Sequence, residues 1–329
     1  MMKAACDGSS ASAPEGRTGF RMVLNTMFSS PQAWLLLAQD RGYLAEAGIA
    51  LDLVAGEGAY TAAGRMANED FDLGYGDINA LIELAARRPD SAPTGIMMMF
   101  HASPSAIAVK AEGPIRCPAD LIGRTIIGHD TDVALRTFGA FCLRAGIDPE
   151  RVTCRALPGG LHDLARALLD TPGLDGMFGY VSTVRAALAV ADMDADAALR
   201  FIKFADHAPE LFGSCLMASR RMVRERPETL AALVEALRRG MRDMLADPAA
   251  AIDAVLRRRP DASRAAEALR LETTLEIEMA ALARLDFTGG ADMARLGRSI
   301  DLMARAERLP RAPRADEVFT HRFLAPSPQ

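Results

Sequence analysis

Between Arg21 and Ala191 the chain repeats one grammar: a short apolar run ends in a loop of glycine, serine or acidic residues, and the loop opens a segment of helical period. RMVLNTMFSS leads into PQAWLLLAQDRGYLAEAG, IALDLV into AGEGAYTAAGRMAN, and FDLGYG into DINALIELAAR. RTIIGHDTD, VTCRAL and LDGMFGY likewise lead into VALRTFGAFCLRAG, PGGLHDLARALLD and VSTVRAALAVA. Strands that alternate with helices pair in parallel, because a crossover helix returns the chain to the same end of the sheet. The implied fold class is α/β. In such sheets the loops at the carboxyl ends of the strands meet at a crevice, and a ligand belongs there. At 329 residues, half of them hydrophobic, the chain is long enough for roughly two domains.

Local signals refine the pattern. Pro31 suits a first helical turn, where its missing N–H costs nothing, and Trp34, Leu35 and Ala38 share the helix face that follows. In FDLGYGDINAL, Asp77 sits where an N-cap would, so its carboxylate can serve the next helix, a ligand, or both. Gly74 and Gly76 permit close backbone approach, either by a neighbouring element or by a bound molecule. From about Leu211 the pattern reads as helices only, with Leu230, Leu233, Val234, Leu237, Met241 and Met244 at packing positions. EALRLETTLEIEMAALARL also reads as helix, and the end as a proline-broken tail.

Composition excludes several classes. The formal charge is −5, with dispersed basic residues and no stripe that could track phosphates, so no nucleic-acid partner is expected. The five cysteines form no CxxC pair and the five histidines no HxxxH spacing, so neither a disulfide framework nor a metal is expected, and no cofactor. No apolar run approaches the roughly 20 residues of a membrane span. Residues 1–17 read as a polar, disordered leader without an apolar signal core. This leaves an exported protein whose signal has been removed, or a cytoplasmic one.

The segments AWLLLAQDRGYLAEAGIALDLV, GEGAYTAAGRMANEDFDLGYGDINAL, CPADLIGRTIIG, LRAGIDPERVTC and RERPETLAALVEALRRGMRDMLADPAAAI together resemble the substrate-binding proteins of ABC importers for nitrate, sulfonates, taurine and thiamine-precursor pyrimidines, the NMT1/THI5-like group. The resemblance covers most of residues 20–255. It implies a two-lobed, periplasmic-binding-protein-like fold with a hinge and a ligand cleft between the lobes. Lobe one would comprise residues 18–103 with 207–329, and lobe two residues 104–206. The implied partners are a small-molecule ligand and an ABC permease, and the expected state is a monomer, periplasmic or otherwise exported.

The expected cleft residues are Ser29, Gln32 and Trp34; Glu57, Gly58 and Ala59; Asp77 and His101; and His129, Thr131, Asp132, Gly160 and Tyr180. Each has a plainer role available: core packing for Trp34, capping for Asp77, a solvated loop for Glu57, a hydrogen-bonded hinge position for His101. Carboxylates, amides and aromatic rings dominate the set. That suits a neutral or cationic nitrogen heterocycle, such as a thiamine-type pyrimidine. A sulfonate- or nitrate-type anion would have to rely on helix N-termini against nearby carboxylates.

Enzymes of the same architecture are the alternative. Around residues 25–45 the chain weakly resembles the aromatic sulfinate desulfinase, which uses a first-loop cysteine where this chain has Ser29 in NTMFSSPQAW. The thiamine-pyrimidine synthase branch carries adjacent cysteines that are lacking here, and no GxSxG elbow is present. No catalytic residue is assigned.

Overall fold

The computed structural model describes residues 18–280 and 288–324. The expected leader, 1–17, lies outside them. The described chain builds two five-stranded sheets. Sheet one contains β1 (Thr18–Val23), β2 (Ile49–Val54), β3 (Leu73–Asp77), β4 (Thr94–Met98) and β10 (Ser214–Ala218), in the order β2-β1-β3-β10-β4. Sheet two contains β5 (Ser105–Lys110), β6 (Thr125–Gly128), β7 (Thr153–Ala156), β8 (Gly176–Tyr180) and β9 (Leu199–Lys203), in the order β7-β6-β8-β5-β9. The chain leaves sheet one after Met98 and enters sheet two at Ser105; it leaves sheet two after Lys203 and re-enters sheet one at Ser214.

Each expected strand–loop–helix unit forms. In sheet one, α1 (Ala33–Asp40) follows β1, α2 (Ala62–Asn68) follows β2 and α3 (Ile78–Arg87) follows β3. In sheet two, α4 (Val133–Arg136) follows β6, α5 (Leu161–Asp170) follows β7 and α6 (Val181–Ala189) follows β8. β1 runs parallel to β2 and β3, and β6 parallel to β7 and β8. The loops that open these helices therefore gather at one end of each sheet.

The expectation of helices alone after Leu211 is corrected by β10, which lies antiparallel between β3 and β4. All five residues of SCLMA are buried. A central strand covered on both faces shows no alternation, and a short apolar run cannot be told from a buried helical segment by period. β5 likewise runs antiparallel to both neighbours, β8 and β9.

The glycines of β3 have a packing explanation. A Cβ on Gly74 would lie 2.4 Å from Met66 Sδ, and one on Gly76 would lie 2.5 Å from Ala62 Cβ. Both partners belong to α2, so the glycines let that helix lie close against the strand. The C-terminal helices complete the first half. α7 (Pro227–Ala246) and α8 (Pro248–Arg258) pack over α1 and bury Ala33 to Ala38 entirely. A Cβ at Gly240 would sit 2.2 Å from the Trp34 carbonyl oxygen, so the contact requires glycine there. α9 (Arg264–Thr273) then runs across both halves of the molecule, packing on α6 and on the 3₁₀ turn Ser30–Gln32, and it ends in a π turn, Thr274–Glu278.

Candidate functional site

A cleft of about 180 Å³ lies where the two sets of loops meet. The β1 loop contributes Asn25, Thr26, Ser29 and Pro31, the β2 loop Gly58 and Ala59, and the crossing segment Phe100. The second half contributes His129, Thr131, Asp132, Val133, Leu161, Gly179, Tyr180, Ser182 and Thr183. Glu278 completes the lining from the π turn. Of the expected residues, Ser29, Gly58, Ala59, His129, Thr131, Asp132 and Tyr180 are brought together here. The two rims approach closely at Gly58, which has φ +130° and on which a Cβ would lie 2.8 Å from Thr131 Oγ1, and the Arg136 guanidinium lies over the Tyr60 ring at 5.1 Å.

The other expected residues stand elsewhere. Gln32 is fully buried behind the wall. Its amide nitrogen donates to Asn25 Oδ1 and to Thr26 Oγ1 at 3.2 Å, and its Oε1 accepts the Ser29 N–H at 3.0 Å, so it shapes the first loop. Trp34 is fully buried, meets Tyr75 edge to face at 5.5 Å between centroids, and donates its indole N–H to the Pro31 carbonyl at 3.1 Å. It is core because α7 and α8 cover the face on which it lies. Glu57 is solvent-exposed at the loop tip. Gly160 is exposed and gives its N–H to Asp163 Oδ2 at 2.8 Å; its neighbour Leu161 reaches the cleft instead.

Asp77 is a cap. It is fully buried, its Oδ1 accepts the backbone N–H and the side-chain amide of Asn79 at 2.9 Å each, and its own N–H donates to the Ala59 carbonyl, placing it directly behind the lining. Burial pushes its pKa up to about 7 against the opposing hydrogen bonds from Asn79 and Ala80. Its Oδ2 has no partner. His101 points away from the cleft: its Nε2 lies 2.8 Å from the Gly290 carbonyl, so that nitrogen carries the proton and pins the segment beside β4. Burial lowers its pKa.

Three acidic side chains set the electrostatics. Asp132 caps α4 through the Ala134 N–H at 2.8 Å, and burial raises its pKa to about 6. Glu278 is 4 % exposed; its Oε1 accepts the Ser182 N–H at 3.1 Å and its Oε2 the Thr274 hydroxyl at 3.3 Å. Burial raises it to about 7, opposed by those bonds and by Arg270. Asp77 is the third. Tyr180, whose hydroxyl is buried without a partner, is held protonated first by burial and then by the negative charge of Asp77, Asp132 and Glu278. Among the described residues, His129 is the only basic side chain in the lining.

Glu278 was missed because its segment reads as a packing helix. A signal was present: it falls seven residues after Leu271 and three after Leu275, on the apolar stripe, where an acid demands a buried partner. Asn25, Thr26, Phe100, Ser182 and Thr183 were missed because they flank the loop centres on which the sequence reading concentrated. Four described cysteines are free, Cys142 and Cys215 buried, Cys117 and Cys154 exposed, and none lines the cleft.

A model of the NMT1/THI5-like family matches residues 31–251. No curated protein matches the chain. Among solved structures, the alkanesulfonate-binding protein SsuA from Xanthomonas axonopodis pv. citri, bound to MOPS, aligns with TM-score 0.66 at 16% identity, covering 92% of this chain and 98% of that one. The Candida albicans CA3427 product, described as having the generic periplasmic binding protein fold, aligns with TM-score 0.67 at 11% identity over 94% and 99% of the two chains. A DSZB mutant in complex with biphenyl-2-sulfinic acid aligns with TM-score 0.61 at 15% identity over 94% and 96%. At these identities the likeness is one of fold.

Proposed function

The chain belongs to the NMT1/THI5-like family, and on that premise we propose that it is a solute-binding protein delivering a small nitrogen heterocycle, of pyrimidine type, to an ABC permease. The two sheets are then read as two lobes, 18–103 with 207–329 and 104–206, that close on the solute. Closure follows from differential affinity: a ligand touching Ser29 and Ala59 on one side and Asp132 and Tyr180 on the other makes its full contacts only when the rims are together.

One observation carries the ligand class. Helix N-termini are the natural anion sites of such a cleft, because they present unpaired N–H groups and the positive end of the helix dipole. At most of the helix starts around this cleft one of the chain's own carboxylates already takes an N–H, the exception being α2, which starts at Thr61 without a side-chain cap. Asp77 accepts at the start of α3, Asp132 at α4, Asp163 at α5, and Glu278 at α6. Glu267 takes the Ser30 N–H at 2.8 Å, on the first-loop turn. With no lysine or arginine among the described lining residues, a sulfonate would meet helix starts largely capped by carboxylates, and acidic side chains. A ring bearing N–H donors would meet acceptors, with Phe100 and Tyr180 offering aromatic faces.

An enzymatic role is disfavoured by the same geometry: none of the described cysteines reaches the cleft, and burial, with the Asp77 charge added, raises the pKa of the Cys215 thiol. Among the described residues, no helix is long and apolar enough to cross a membrane.

Thermal unfolding against pyrimidines, amines, alkanesulfonates and nitrate tests the reading. A ligand at 100 times its Kd stabilises the native state by about 2.7 kcal/mol, a readily visible shift in midpoint. The expected result is a shift with heterocycles or amines and none with sulfonates or nitrate; the reverse overturns the reading.

A further inference from the structure

We infer that the cleft takes its ligand as a planar cation, with the positive edge held between Asp132 of the second lobe and Glu278 of the π turn. The inference rests on the cleft being the solute site and goes further by fixing the charge of the solute.

Asp132 and Glu278 enter the same small cleft from different elements, the β6–α4 loop and the C-terminal segment beyond α9. Each already accepts a backbone N–H, at 2.8 and 3.1 Å, so both are fixed in place, and a carboxylate oxygen retains a second acceptor site after one bond. Asp132 is half-buried and Glu278 buried, and a carboxyl so withdrawn from water is favoured in its ionised form by a positive charge brought beside it. Of the described basic groups near them, Arg270 bears on Glu278 but is bonded to Glu267 on its own helix and lies outside the lining, and His129 lies beside Asp132, so no described guanidinium or ammonium lines the cleft.

An independent observation points the same way. Ser182 is fully buried and lines the cleft, with its side chain acting on Glu278, and the Tyr180 hydroxyl is buried without a partner in the protein. A buried hydroxyl without a protein partner, in a cleft lined by two carboxyls, suits an occupant that brings its own polar contacts. Leu161, Val133 and Phe100 line other parts of the wall and suit an apolar ring. An amidinium or a protonated aminoheterocycle combines a flat apolar body with a fork of charged N–H donors, which is the geometry a carboxylate pair binds best.

Benzamidinium and benzamide share shape and differ in charge, and benzenesulfonate supplies the opposite sign. Calorimetric titration of all three into the full chain, and into Glu278→Gln and Asp132→Asn, tests the inference, with unliganded melting of each variant confirming its fold. Glutamine and asparagine retain an acceptor oxygen for the Ser182 and Ala134 N–H groups. The expected result is that benzamidinium binds at least about tenfold tighter than benzamide, and that each variant loses about tenfold for the cation while changing benzamide little. Equal binding of the two, or equal losses in the variants, overturns the cation inference and leaves the heterocycle reading standing. Binding of benzenesulfonate alone overturns that reading itself. Failure of benzamidinium to bind folded protein at millimolar concentration overturns the inference.

Discussion

The two rims of the cleft are built from the same unit and put to different use. In the second lobe, His129, Thr131, Asp132 and Tyr180 stand at the ends of β6 and β8 and face the cleft. In the first lobe the corresponding large or charged residues, Trp34 and Asp77, are withdrawn into the interior. The difference lies in what covers each sheet. α7 and α8 close over α1, and β10 inserts beside β3, pairing Ser214 with Asp77. Apart from Phe100 on the crossing segment, the first lobe's loops thus present small, hydroxyl and amide residues to the cleft, whereas the second lobe and the π turn supply its charged groups and Tyr180.

Predictions can break this division. The largest effect belongs to the scaffold: Trp34→Ala should cost roughly 3–5 kcal/mol of stability, as expected for truncating a buried aromatic ring. Urea unfolding measures the loss, and the affinity for the best ligand of the thermal panel should change less than about threefold at a temperature where the variant is folded. Lost binding with intact stability would return Trp34 to the ligand. On the other rim, Tyr180→Phe should weaken that ligand by about 0.5–1.5 kcal/mol and leave stability unchanged or slightly raised, since the hydroxyl has no partner in the protein. A loss of stability without a loss of affinity would make Tyr180 a structural residue.

Asp77→Asn sharpens the comparison through pH. The folded pKa of Asp77, about 7, lies above its ordinary 3.8, so the native state holds a proton that the unfolded state releases between those values. Its contribution to stability therefore falls as pH rises through that window. Asparagine caps a helix as well as aspartate and does not titrate, so the variant should gain relative to the parent between pH 4 and pH 8 in paired denaturation curves. Asp132 and Glu278 slope in the same direction, so the parent's decline should shrink without vanishing. A variant that tracks the parent at both pH values would remove Asp77 from this role. The smallest effect is expected at Glu57→Gln, exposed at the loop tip: stability within about 0.5 kcal/mol, and unchanged affinity.

The fold was legible because its signal is repetition. The strand–loop–helix units of β1–α1 through β8–α6 each announce themselves by a change of period at the loop. β10 was not legible, because a five-residue strand buried on both faces has no period to read. The site was legible only where a residue's fate is decided locally. Tyr180 ends a strand at a helix start, and nothing distant intervenes. Trp34 and Asp77 carry the same local signal, but helices and a strand some 140 to 210 positions later in the chain cover them. Glu278 reverses the case, since a residue with a packing address becomes part of the cleft wall because α9 crosses between the lobes and its final turn widens.

The crystal structure of the complex with whichever panel ligand gives the largest thermal shift tests the central claim most directly. The account predicts a ring lying by Phe100 and Tyr180, with ligand nitrogen within hydrogen-bond distance of Asp132 or Glu278, and the bonds from Glu278 to Ser182 and from Glu267 to Ser30 intact. An anionic group seated on the Ser30 or Ser182 N–H, with its glutamate displaced, would contradict it.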